Sequence, residues 1–326
     1  MQSVRKYSYL LNTPLQIEIL ARKLAWQAVF QNVEFVEGEG PKRFFPLFKE
    51  AFAASHLAAN LLLSDAADYG TGAVKNAFLC RKRKNRSIFG LKGAFSQIPA
   101  IIAGAGPSLG SLKPYENKAL IFAGGAALER IDVKPHFAAS IDKEGPLKKI
   151  PGRATPFCFQ SRLNGEVLAK VKGPLLRAPE SHFEFLRWLE GEEGSFDGGW
   201  TVGNFLAGLA ALWGCNPIIF VGNDFCYKEG KKYAGDRVAV QEEELVAAVN
   251  RKGERVFTQN DWLMAVRWMG ECAGRYHDRT WIDGCGEGME FASSVQVKKI
   301  EEIDLRMQDD LQACKVRGLE HLAESR

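Results

Sequence analysis

Two carboxylates, Asp142 and Asp224, each follow a short apolar run, and a third run, Ile98 to Ala103, opens onto Gly104, Gly106, Pro107 and Ser108. An apolar run that stops at glycine or an acid reads as a buried strand presenting that group at its carboxyl end. At Gly104 to Gly106 the turn is tight enough to need residues without a Cβ, and Pro107 is well placed to begin a helix. Such a turn is expected to point backbone N–H groups outward. With the positive end of a helix behind them they would take an anion, most often a phosphate. Thr201 and Asn204, one helical turn apart, offer a second contact group, as a cap or at a ligand. Asn223, Asp224 and Tyr227 follow the run Pro217 to Val221.

Commoner motifs do not fit this pattern. A dinucleotide fingerprint needs GxGxxG, but Gly110 comes four residues after Gly106, and the next strand leads into Gly124 and Gly125 where a ribose-binding acid is expected. There is no GK[ST] end of a Walker loop and no GxSxG elbow of a hydrolase. Taken alone, GAGPSL is also compatible with a strand-to-helix turn in which glycine serves only geometry.

The elements that must position these groups alternate along the chain. Strands are expected at Ile98–Ala103, Ala119–Ala123, Phe137–Ile141, Thr155–Gln160, Pro174–Ala178, Pro217–Val221 and Thr280–Asp283. Helices are expected at Gly165–Val171, His182–Leu189, Thr201–Gly214 and Asn260–Cys272. Short strands separated by helices imply right-handed crossovers and a mainly parallel, Rossmann-like α/β sheet covered on both faces, with ligands at the carboxyl ends of its strands. Pro14–Phe30 and Pro46–Leu63 read as an N-terminal helical module, and Val297–Leu322 as one long amphipathic helix that packs on it or forms a dimer contact. The organisation expected is therefore residues 1–96, helical module and basic linker; 97–290, catalytic domain; 291–326, C-terminal helix.

Composition narrows the function classes. With 46% hydrophobic and 25% charged residues, the chain is an ordinary globular protein, and a net charge of +4 makes no case for nucleic acid or a membrane surface. The dense run RKRKNR, Arg81 to Arg86, has no interleaved aromatic ladder and reads as a solvated linker rather than a nucleic-acid site. Seven scattered cysteines without a CxxC pair are the usage of a reduced, cytoplasmic protein and offer no zinc spacing. No apolar stretch approaches ~20 residues, so no membrane span is expected. Trp26, Trp188, Trp213 and Trp268 read as core or interface aromatics, and Cys226 as a packing residue.

PAIIAGAGPSL at Pro99–Leu109, LIFAGGAALERIDVKPHFAASID at Leu120–Asp142, TVGN at Thr201–Asn204 and IIFVGNDFCY at Ile218–Tyr227 together resemble, in order and spacing, the Maf/MptE-like family. That family includes glycosyltransferases implicated in placing sialic-acid-like nonulosonic sugars on flagellin, and a 6-hydroxymethyl-dihydropterin diphosphokinase. GAGPSL also looks like the GNGPSL loop of bacterial sialyltransferases that use CMP-sugars. The resemblance covers roughly residues 77 to 300. It makes Gly104, Gly106, Pro107 and Ser108 the nucleotide-phosphate loop, Asp142 a cleft acid, Thr201 and Asn204 a second contact group, and Asn223, Asp224 and Tyr227 the far wall. The loop Lys228–Asp236, with Tyr233, would fold over the site; a histidine is common in the family where Tyr233 falls, and neither His136 nor His182 stands in a matching place.

Two chemistries fit these residues. In one, a CMP-nonulosonate loses CMP while Asp142 or Asp224 accepts the proton of a hydroxyl on a protein or small-molecule acceptor. In the other, ATP binds with Mg²⁺ held by Asp142 or Asp224, and a pterin hydroxymethyl oxygen attacks the β-phosphorus and releases AMP. The Maf-like SID and GNDFCY segments favour the first. A nucleotide-binding relative without turnover is the non-enzyme alternative.

Overall fold

The computed structural model describes residues 9, 13–31, 33–36, 44–82, 85–141, 152, 155–179, 184–190, 194–227 and 245–305. Asp142, His182 and Tyr233, and the expected helix beyond residue 305, lie outside them.

The chain divides into two compact units, Met1–Asp68 and Tyr69–Arg326. In the first, α1 (Pro14–Phe30) begins where the Thr13 hydroxyl accepts from the Gln16 N–H, with Pro14 in the first turn. Its inner stripe is Ile17, Leu20, Ala21 and Leu24, packed with Phe48. Leu15 and Ile19, which stand near helical spacing with Leu20 and Leu24 in the sequence, are exposed, as are Trp26 and Phe30. Phe35 meets Phe48 and Phe52 edge-on, with ring centroids 5.0 and 4.5 Å apart. Helix α2 (Phe44–Lys82) runs beyond the expected Leu63 and breaks helical geometry at Gly70, whose φ of 41° suits glycine.

The second unit is built on a nine-stranded parallel sheet. Its strands are β1 (Arg86–Ser87), β2 (Ala100–Ala103), β3 (Leu120–Gly124), β4 (Phe137–Ser140), β5 (Phe157–Gln160), β6 (Leu175–Ala178), β7 (Ile218–Val221), β10 (Trp281–Asp283) and β11 (Gln296–Val297). The expected boundary at residue 97 thus falls inside this unit, because β1 pairs with β6 and Ile88 and Leu91 are core residues. An antiparallel hairpin of β8 (Val246–Val249) and β9 (Arg255–Thr258) stands apart, and periodicity had not revealed it.

Spatial order is β1-β6-β5-β4-β3-β2-β7-β10-β11. From β2 the chain steps outward through β6, and then returns to the other side of β2 to lay down β7 and β10. The point of reversal is the β2/β7 junction. In open α/β sheets this is where crevices for ligands form. One face packs on α6 (Val202–Leu212) and α7 (Asn260–Arg275); the other is covered by α3 (Ala127–Arg130), α4 (Gly165–Lys170) and Leu112 and Tyr115. A further short helix, α5 (Glu184–Glu190), packs Leu186 and Leu189 against Ala73 and Ala77.

Two expectations fail here. No helix follows Pro107: the chain turns at Pro107–Ser108, and a single 3₁₀ turn comes only at Lys113–Tyr115. Over the described residues 297–305 the chain is not α-helical either, since it is sheet at Gln296–Val297 and 3₁₀ at Ile300–Glu302. The spacing of Ile300 and Ile303 imitated a helical stripe, but both rest against the sheet core. Of the four tryptophans read as core or interface aromatics, Trp213 and Trp268 are core, and Trp26 and Trp188 are exposed.

Trp213 is fully buried, donates from Nε1 to the Ile88 carbonyl at 2.9 Å, and lies 4.7 to 6.0 Å, ring to ring, from Phe95, Phe122 and Phe137. Trp213→Ala is expected to cost about 3–5 kcal/mol in chemical denaturation, because it opens a cavity and strands a carbonyl.

Candidate functional site

The loops after β2 and β7 are fastened to each other. Gly104 N–H donates to the Val221 carbonyl at 2.7 Å and Gly106 N–H to the Gly222 carbonyl at 2.8 Å, so the ladder continues past the strands. Ser108 then donates to Asp224 Oδ2 from its backbone N–H at 3.1 Å and from its hydroxyl at 2.9 Å. The same hydroxyl accepts from Gly222 N–H at 3.1 Å. A Cβ on Gly104 would run into the Gly222 carbonyl, and one on Gly106 into the Asp224 carboxylate. Gly222 itself has a φ of 67°.

This corrects the sequence reading of the glycine loop. The N–H groups of Gly104, Gly106 and Ser108 are engaged inside the protein, and with no helix after Pro107 no dipole stands behind them. The glycines are there because two backbones touch. Asp224 is 5% exposed and holds the clasp.

Asn223 and Asn204 are fasteners too. Asn223 Nδ2 donates to the carbonyls of Ile102 (2.8 Å) and Val221 (3.0 Å), and its N–H to Cys285 Sγ at 3.3 Å. Asn204, fully buried, accepts at Oδ1 from the N–H groups of Trp200 and Thr201 and donates to the Ala265 carbonyl at 3.1 Å. With the Thr201 hydroxyl accepting from Asn204 N–H, this is a capping box. Tyr227 is buried and stacks on Trp262 with centroids 5.1 Å apart, while its N–H donates to the Phe257 carbonyl of β9.

The start of α6 combines adjacent open donors with a helix end. Its first two N–H groups, on Val202 and Gly203, have no partner among the described residues. Val202 sits directly on Gly124 at the end of β3, where any side chain on that glycine would strike it. An 11-residue helix therefore aims its first turn, with its partial positive charge, at the carboxyl edge of the sheet. The loop after β10 closes the far side. Arg251, from the β8–β9 turn, pairs with buried Asp283, and Met289 N–H donates to the Asp224 carbonyl at 2.9 Å.

His136 is remote from this edge: it precedes β4, and its Nδ1 accepts from Ile121 N–H at 2.9 Å. A cavity of about 560 Å³ lined by Lys113, Asp132, Lys134 and Thr155 is also at the amino ends of the strands, away from the converging loops. Among the described residues no three His, Cys, Asp or Glu side chains group as a metal centre would need. Sequence reasoning missed Gln160 and Ser161 at the end of β5, both buried polar residues at the same edge as the first turn of α6. A polar residue closing the apolar run FCF was the signal for them.

Two outcomes test this geometry. Gly104→Ala should destabilise the fold by about 1–3 kcal/mol or more, since the obstacle is backbone that cannot step aside; a melting temperature equal to wild type would contradict the clasp. Burial, followed by the Asp283 and Asp224 carboxylates, pushes the Cys285 thiol well above its ordinary value. Iodoacetamide at about pH 8 should therefore leave Cys285 unlabelled in the native protein and label it on unfolding, as read by peptide mass spectrometry.

Residues 75–230 match the family model described as 6-hydroxymethylpterin diphosphokinase MptE-like. Among solved structures, that of the MAf glycosyltransferase from Magnetospirillum magneticum AMB-1 superposes with a TM-score of 0.65 at 17% identity, over 96% of this chain and 51% of that one. The chain thus spans about half the length of that protein. No curated protein matches the sequence. The matched residues run from α2 through β7 and include both halves of the Ser108–Asp224 clasp, and over them this chain is similar to the MptE-like family.

Proposed function

We propose that this chain is a nucleotide-dependent transferase that uses a CMP-nonulosonate donor. The observation that carries the reading is the unpartnered first turn of α6, where the Val202 and Gly203 N–H groups stand at the carboxyl edge beside the β2/β7 reversal. A phosphate set there receives two backbone donors and the positive end of the helix. The clasped glycine loop forms the wall beside it and keeps the α6 turn and the Asn223–Asp224 loop in register.

In the transfer, the bond between the anomeric carbon and the CMP phosphate oxygen breaks as the acceptor hydroxyl attacks that carbon. The α6 donors stabilise the charge gathering on the departing phosphate. Asp142, two residues beyond the last residue of β4, is our choice of general base, because the Asp224 carboxylate is buried and already bound to Ser108. Tyr233, in the segment after Tyr227, is proposed to close over the donor.

The description of the family model favours a second reading, in which ATP transfers diphosphate to a hydroxymethylpterin. Mg²⁺ would then fall to Asp142, with Asp224 as the other candidate.

Thermal stability measured with CMP and with ATP, each with and without Mg²⁺, separates the readings. Stabilisation by CMP alone is expected; stabilisation by ATP only with Mg²⁺ would replace the first reading with the second. Val202→Pro tests the phosphate position. Proline is tolerated at a first helical position and Thr201 is already extended, so the helix should persist while one donor is lost. Nucleotide affinity should fall about tenfold or more, as for a hydrogen bond to a charged group. Unchanged affinity would refute this placement.

A further inference from the structure

Gln160 is the last residue of β5 and is 1% exposed, yet among the described residues neither its amide oxygen nor its amide nitrogen has a hydrogen-bond partner. Beside it the Ser161 hydroxyl, fully buried, also has none. Buried side-chain amides are nearly always satisfied, so a donor and an acceptor left open side by side call for an explanation. Two more observations show where this amide stands. By strand alternation Gln160 shares the α6 face of the sheet with Cys158, and its Nε2 lies 3.5 Å from where a Cβ of Gly198 would be. Gly198 and Gly199 precede the capping box of α6, one residue intervening, and present bare backbone there; a side chain on Gly198 would meet Phe205 at 2.8 Å.

We infer that Gln160, assisted by Ser161, reads the base of the bound nucleotide. The inference rests on the nucleotide-binding reading above and names the group that selects the base. A carboxamide presents a donor and an acceptor in one plane, the complement of a nucleobase edge with an amine beside a ring nitrogen, as in cytosine and adenine. β5 lies one strand beyond β4 and two beyond β3, over which the first turn of α6 sits. Strand spacing puts the amide ~5–10 Å from the phosphate position, a separation that suits the base rather than a group bonded to the phosphate. Water alone would satisfy the amide but would leave it without influence on binding, and that difference can be measured.

The test is calorimetric titration of the full chain with CMP, AMP and ribose 5-phosphate, for wild type, Gln160→Met and Ser161→Ala. Methionine keeps the length and removes the hydrogen-bonding groups. Gln160→Met should melt no lower than wild type, because it removes polar atoms that have no partner in the free protein. It should bind the preferred nucleotide at least about tenfold more weakly, with ribose 5-phosphate affinity unchanged. Ser161→Ala should show a smaller loss in the same direction, and it stands in if Gln160→Met fails to fold. Nucleotide affinity equal to wild type in a folded variant overturns the inference and leaves the function reading intact. Equal losses for nucleotide and ribose 5-phosphate also overturn it, since the site would then not read the base. If wild type binds none of the three, the nucleotide-binding reading falls and this inference with it.

Discussion

The carboxyl edge of this sheet depends on one hydroxyl. Ser108 donates to Asp224 and accepts from Gly222, and so ties together the two loops that leave the sheet where its strand order reverses. A carboxylate buried as deeply as Asp224 is stable only if its oxygens are met, and Ser108 meets one of them twice, from hydroxyl and backbone. The approach this demands leaves no room for a Cβ at Gly104 or Gly106. Glycine, serine and aspartate are thus one device, and each is intelligible only through the other two.

From this clasp the rest of the edge is braced. Asn223 carries the tie to β2 and to Cys285, and the Asp224 carbonyl carries it to Met289. Arg251 adds the hairpin through Asp283. On the other side Asn204 ties the cap of α6 to α7 through Ala265. Small residues along α6 let its backbone lie close: Gly208, for one, leaves space for Phe196 and Trp268. Among the described residues, this bracing leaves open polar groups at the first turn of α6 and at the end of β5. Rigid surroundings with a few unmet polar groups are the usual make-up of a binding site, because the order needed for recognition is already present before the ligand arrives.

Much of this was legible in the sequence. The apolar runs located all the longer parallel strands to within two residues, since a strand buried on both faces has no polar positions to obscure it. Pro14 and Thr201 marked helix starts, because a first-turn proline and a cap act locally and need only their own neighbours. By contrast, the β8–β9 hairpin, with its half-exposed alternation, and the two-residue strands β1 and β11 left too short or too mixed a pattern to read. The stripe at Ile300 and Ile303 misled for the opposite reason: apolar spacing reports burial and does not say which backbone achieves it.

The sequence by itself therefore determined the class of fold, the position of its strand ends and the residue types gathered there, because these follow from local burial and local hydrogen bonding. Tertiary structure alone decided what those residues do. Residues 104–108 and 222–224 are more than a hundred positions apart, and only when β2 and β7 become neighbours do the N–H groups that looked free find their carbonyls. Among the described residues, the same assembly left the donors of Val202 and Gly203 and the amide of Gln160 unmet. Hydrogen bonding is settled between partners, and for this edge of the sheet the partners are chosen by strand order.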